Sequence, residues 1–165
     1  MRKIFVVVLL LVSCQLMGQE NWKYRAAVNA GFYFGGENLE QASSFTLEYG
    51  YIFKNRLLLG VGAGYEYSQY IPDGPKTQRE YIPLYADVKC YMSLSEKVRF
   101  LAGVETGCAM AIQPKVMVRD IPNEFLVYPQ IGFDVKLYKM LSLELSGGYR
   151  SSFLNLWGFN VGLKF

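Results

Sequence analysis

The sequence predicts an all-β fold: an eight-stranded antiparallel up-and-down transmembrane β-barrel. Three observations carry this. Side-chain character alternates with period two from Trp22 almost to Phe165, the spacing of strands with two unlike faces. Within each run one parity is aliphatic or aromatic and the other holds the charges, so the oily face needs lipid as its solvent. The connections alternate between short and long, as periplasmic turns and extracellular loops do.

The chain begins with a basic Met1-Arg2-Lys3, an unbroken apolar run over 4–12, and a small, polar stretch over 13–20. This is the layout of a secretory signal peptide. The apolar run is far short of the about 20 residues a transmembrane helix needs. The expected division is a signal peptide over 1–18 and an outer-membrane barrel domain over 19–165, with Leu16 larger than the residue usual three before the cut. A competing reading takes Leu11-Val12-Ser13-Cys14 as a lipobox with Cys14 lipidated. It is the less favoured, because a barrel holds itself in the bilayer without a lipid anchor.

The strands follow in order. The first, 22–34, sends Trp22, Tyr24, Ala26, Val28, Ala30, Phe32 and Phe34 outward, against Lys23, Arg25, Asn29, Gly31 and Tyr33. The second, 44–53, sets Phe45, Leu47, Tyr49, Tyr51 and Phe53 outward, and the third, 57–67, Leu57, Leu59, Val61, Ala63, Tyr65 and Tyr67. The fourth, 81–92, shows Ile82, Leu84, Ala86, Val88, Cys90 and Met92, and the fifth, 98–112, Phe100, Ala102, Val104, Thr106, Cys108 and Met110. The sixth, 125–137, shows Phe125, Val127, Pro129, Ile131, Phe133, Val135 and Leu137. The seventh, 141–149, shows Leu141, Leu143, Leu145 and Tyr149, and the eighth, 155–165, Trp157, Phe159, Val161, Leu163 and Phe165.

Lys23, Arg25, Glu48, Glu66, Asp87, Lys89, Arg99, Glu105, Asp134, Lys136, Glu144 and Lys164 all fall on the opposite parity. A charge facing lipid at mid-bilayer costs about 2–4 kcal/mol, so the segregation is enforced physically. Tight turns at 54–56, 93–97 and 138–140 alternate with connections at 35–43, 68–80, 113–124 and a shorter one at 150–154. Pro72, Asp73, Gly74, Pro75, Pro114, Pro122 and Asn123 give two of these loops their turn chemistry. Aromatics near both strand ends form two interface girdles, consistent with an aromatic content of 16%. Eight strands leave an interior that side chains just fill. Its glycines and six acidic and six basic residues are expected to form a packed ion-pair network without a continuous pore.

Other chemistries are disfavoured. Removing Arg2 and Lys3 from the 17 basic residues leaves 15 against 14 acidic ones, with no basic stripe, so nucleic acid is not an expected partner. Cys90 and Cys108 lie on adjacent strands. With Cys90 opposite about Phe100, they are roughly 27 Å apart at 3.4 Å per residue, beyond the reach of a disulfide. Two free thiols facing lipid are expected, and no metal site. Gly60-Val61-Gly62-Ala63-Gly64 suggests a phosphate loop, but no helix pattern follows to cradle a phosphate. Glu48, Glu66, Glu105 and Glu144 suit acid–base work less well than ion pairing with Arg25, Lys89, Arg99 or Arg150. The chain has no histidine, which the known outer-membrane barrel lipases, deacylases, palmitoyl transferases and omptin-like proteases all use. No catalytic or cofactor-binding residue is expected. Tyr70 and Ile71 are candidates for loop contacts or loop packing.

The segment from Tyr81 to Met92, Tyr-Ile-Pro-Leu-Tyr-Ala-Asp-Val-Lys-Cys-Tyr-Met, resembles a strand common in small outer-membrane β-barrel proteins of Bacteroidetes-type bacteria. Over its mature length the chain is similar in plan to OmpA/OmpX-like eight-stranded barrels. The resemblance implies the outer membrane of a Gram-negative cell, surrounding lipid as a partner, and insertion by the assembly machinery that reads a C-terminal strand signal. Phe159, Val161, Leu163 and Phe165 fit that signal; Asn160 departs from it, standing between Gly158 and Gly162 where the family commonly has Gly. The resemblance carries no shared catalytic site. The expected function is a non-enzymatic barrel, structural, adhesive or partner-binding through its loops. The alternatives are a porin-like channel for small solutes, a lipid-modifying enzyme and a soluble carrier of apolar ligands.

Overall fold

A computed structural model describes residues 22–35, 40–70, 77–112, 124–139, 141–151 and 156–165. The leader, Cys14, Ile71, the Tyr70 side chain and the loop prolines named above lie outside the described residues. Eight strands form in chain order: β1 Trp22–Gly35, β2 Glu40–Phe53, β3 Leu57–Tyr70, β4 Thr77–Ser93, β5 Val98–Ala111, β6 Glu124–Tyr138, β7 Leu141–Arg150 and β8 Leu156–Lys164. Each pairs antiparallel with its neighbour, and β8 closes the ring on β1. Closure removes the edge whose unpaired N–H and C=O groups hydrocarbon cannot satisfy. Followed once around the ring, the register returns to β1 about ten residues from its start, a stagger that goes with strands inclined by about 35–45°.

The expected strands are all present, and several are longer. β2 starts at Glu40 rather than at 44, and β4 at Thr77 rather than at 81. Their added residues continue the ladders past the apolar band, with Gln41 beside Phe34 and Gln78 beside Gln69. Polar residues occupy both faces there, so no alternation marks the extension.

Parity holds throughout. No described outward side chain is buried, and inward ones are exposed only at strand ends such as Lys23, Ser93 and Lys136. The exterior is an apolar belt of a kind water does not tolerate at this extent, which makes the barrel a transmembrane one. Aromatic pairs rim it: Tyr24–Tyr51 and Phe100–Phe133 at the turn end, Phe34–Phe159 and Tyr149–Trp157 at the loop end. Cys90 and Cys108 are free and exposed. Their register differs from expectation: Cys90 faces Ala102, and Cys108 faces Leu84. Six residues therefore separate the thiols along the ladder, roughly 20 Å, and a disulfide remains out of reach.

Two prolines interrupt the ladders near the loop end. The β3–β4 pairing skips the two positions around Pro83, between Ala63↔Leu84 and Glu66↔Tyr81, without changing register. Pro129 interrupts the β6–β7 pairing in the same way: beyond Gln130↔Gly148 it resumes at Val127↔Ser151 in the same register. Proline has no N–H to donate, and a closed ring offers no edge to hide it on. Local unpairing is the solution here.

Candidate functional site

Among the described residues the lumen, the concave interior of the ring, is built in three levels. Toward the turns, Ile52, Leu58, Tyr91 and Leu101 form an apolar cluster. Toward the loops, Tyr33, Ala42, Tyr128 and Leu156 form a second, with Tyr81, Ala109 and Leu126 beside it. Charged groups occupy the space between. The expected glycines and ion pairs are present, and aromatic and aliphatic side chains that the sequence reading did not include cap the charges at both ends.

The middle level is organised by two lysines, Lys89 from β4 and Lys164 from β8, which are 1% and 0% exposed. The Lys89 ammonium lies 3.1 Å from Glu48, 3.1 Å from Glu144, 2.8 Å from Asp87 and 3.9 Å from Glu105. Lys164 pairs with Glu144 and donates to the Tyr91 hydroxyl at 2.6 Å. Remaining acceptors are met by neutral donors: Tyr91 to Glu144 at 3.2 Å, Asn29 to Glu48 at 3.4 Å and Gln130 to Glu105 at 2.6 Å. Asp87, 1% exposed, takes its counter-charge from Lys89. Four carboxylates thus share two ammonium groups. Such a cluster depends on its two cations, because a buried carboxylate that loses its partner keeps its full desolvation cost.

The loop-end level is built on one ion pair and three tyrosines. Arg150 pairs with Glu66 at 2.5 Å and lies over the Tyr33 ring, its guanidinium 5.2 Å from the centroid. The hydroxyls of Tyr33, Tyr85 and Tyr128 donate to Asn160 at 3.2 Å, Thr46 at 3.0 Å and the Gly158 carbonyl at 3.1 Å. Between them is a cavity of about 30 Å³, room for one or two waters. Glycines make space for the rings. A Cβ on Gly62 would stand 2.2 Å from Tyr85, and one on Gly158 would stand 2.3 Å from Tyr33. The Gly60–Gly64 run accordingly continues β3 and seats an aromatic ring.

The turn-end level is open. Asp134 receives Arg99 through two guanidinium nitrogens, and Arg25 approaches it at 3.9 Å. Ser142 donates to Asp134 at 2.8 Å and accepts from Arg25. Arg99 also donates to the Asn55 carbonyl at 3.3 Å and stacks over Tyr91 at 4.6 Å. Of the expected ion-pair members, Arg150, Lys89, Arg99, Arg25 and Lys164 find carboxylates. Lys23 and Lys136 do not: among the described residues they join no ion pair and are exposed. The turns that shape this end use strained backbone. Lys54 and Asn55, with φ of 48° and 55°, form the two central residues of a tight turn closed by Arg56 N–H donating to Phe53 O at 2.9 Å, the conformation of a type I′ hairpin.

No protein-family model matches the chain, and no curated protein matches it in sequence. Solved structures do match in fold. The outer membrane protein OprG from Pseudomonas aeruginosa is 9% identical, covers 88% of this chain and 97% of its own, and superposes with a TM-score of 0.63. Ail, the attachment invasion locus protein of Yersinia pestis, solved with the heparin analogue sucrose octasulfate, is 14% identical, with coverage of 89% and 100% and a TM-score of 0.52. A de novo designed transmembrane β-barrel is 12% identical, with coverage of 86% and 93% and a TM-score of 0.50. What this chain shares with them is the small closed transmembrane barrel.

Proposed function

We propose that the chain is a non-enzymatic barrel of the bacterial outer membrane, structural or adhesive, that meets partners through its extracellular loops. The carrying observation is the sealed lumen. The ammonium groups of Lys89 and Lys164 lie among Glu48, Asp87, Glu105 and Glu144, with Tyr91, Ile52, Leu58 and Leu101 closing one side and Tyr33, Tyr128 and Leu156 the other. An interior filled in this way works as a brace and leaves the ends to do the binding. The outer-membrane setting is supported by the closed ring, its apolar belt and the fold shared with OprG and Ail. An attachment role on the same scaffold, as in the name Ail carries, fits this reading. The resemblance to OmpA/OmpX-like barrels of Bacteroidetes-type bacteria, a cleaved leader, and insertion through the C-terminal strand ending at Phe165 belong to the same proposal.

The test is electrical. Purified barrel in planar bilayers is expected to give no steady single-channel steps. Persistent open events would defeat the sealed-lumen reading and favour a solute channel.

A further inference from the structure

Beyond the loops, the turn end carries a second feature. Inside the ring at that end is a vestibule of about 310 Å³, lined by Lys23, Arg25, Lys97, Arg99, Lys136 and Lys139, with Glu96 and Asp134 as its acidic side chains. Ile52 also lines it and belongs to the apolar cluster that closes the lumen beyond. We infer that this vestibule is a binding site for a multiply charged, phosphate-bearing anion.

Two features distinguish the site from a generally basic rim. The first is preorganisation. Arg25 and Arg99 both lean on the single carboxylate Asp134, which is 1% exposed, while Ser142 and the Asn55 carbonyl fix them further. Their guanidinium groups are therefore held in place before any ligand arrives. The second is surplus charge in a concave space. Lys23, Lys97, Lys136 and Lys139 are exposed and, among the described residues, join no ion pair. Six cationic side chains thus face two acidic ones and the terminal carboxylate of Phe165, which also lines the space. One carboxylate ligand would balance a single charge, whereas each phosphomonoester brings about −1.5 to −2. Fixed guanidinium forks and mobile ammonium point charges are also the two side-chain types that bind phosphate. The phosphate has two possible sources, a lipid headgroup of the adjoining leaflet or a soluble phosphate compound.

The test uses the full-length chain folded in zwitterionic micelles and titrated calorimetrically with inorganic pyrophosphate at low salt. One saturable site is expected. The triple variant Lys97→Gln/Lys136→Gln/Lys139→Gln, which alters only exposed side chains, should bind at least tenfold more weakly. Lys54→Gln/Arg56→Gln, on the adjoining turn but outside the vestibule, should stay within twofold. Heat-modifiable gel migration checks that both variants are folded. Absence of a saturable site, or equal losses in the two variants, overturns the inference, the latter by reducing the effect to a diffuse basic collar. Repeating the titration in phosphatidylcholine nanodiscs with and without phosphatidic acid assigns the source. Competition by phosphatidic acid that disappears in the triple variant supports a lipid headgroup, and unchanged pyrophosphate binding supports a soluble ligand. Because conductance is not measured, failure here leaves the sealed-lumen reading standing.

Discussion

Lys89 and Lys136 both sit on the inward parity of their strands, yet they live in different worlds. Lys89 is held in the sealed middle of the lumen by Glu48, Asp87, Glu105 and Glu144. Lys136 lines the open turn-end vestibule and joins no ion pair among the described residues. Parity decides on which side of the wall a charge stands; height along the axis decides whether it must be neutralised by protein or is left to water. The middle level is closed off from water, with its charges held by one another, and the turn end is open to it.

The largest expected effect breaks the middle level. Lys89→Met removes the cation shared by four carboxylates and should cost on the order of 3–5 kcal/mol of folding stability, read by urea titration in detergent. Lys136→Met, the matched change in the vestibule, should stay within about 0.5 kcal/mol. Equal effects would erase the distinction between the two levels. Adding a lysine one residue away, on the outer face, probes the wall itself. Val88 points outward beside Lys89, and Val88→Lys is expected to cost about 2–4 kcal/mol in a bilayer-supported unfolding assay.

A smaller loss is expected from the seat of an aromatic cap. Gly62→Ala drives a methyl group into the Tyr85 ring and should destabilise by about 1–3 kcal/mol. The same measurement on Gly62→Ala/Tyr85→Ala should show less than additive loss, since the clash is then gone. The smallest effect has the opposite sign. Lys54 adopts φ of 48° at the rim, a region where Asn is at less disadvantage than Lys. Lys54→Asn should therefore stabilise the hairpin by up to about 1 kcal/mol, visible as a small rise in the urea midpoint.

The wall was legible in the sequence because lipid and lumen impose opposite demands on neighbouring residues: Val88 and Lys89, or Leu163 and Lys164, state the register locally. The ion pairs were legible as a class and not pair by pair: Glu66 and Arg150 were both candidates, but only the fold joins them. The vestibule was not. Its cations come from β1, the β4–β5 turn, β5, β6 and the turn after it, and only the stagger around the ring brings them to one height. Alternation reports side, never height, so Lys23 and Lys136 read the same as Lys89. The aromatic caps were hidden for a related reason. Tyr85, Tyr91 and Tyr128 share the charged parity, the available signal, but charge and glycine dominate the reading of an inward face.

The place of Lys164 on β8 has a consequence for how the molecule comes together. Glu144 and the Tyr91 hydroxyl wait on earlier strands for an ammonium group that only the last strand delivers. Until β8 docks between β7 and β1, the ring is open and its central acids have one ammonium group, that of Lys89, instead of two. Seam closure and delivery of the second ammonium group are therefore a single step, so the final hairpin works as a latch and a half-zipped barrel has little reason to persist.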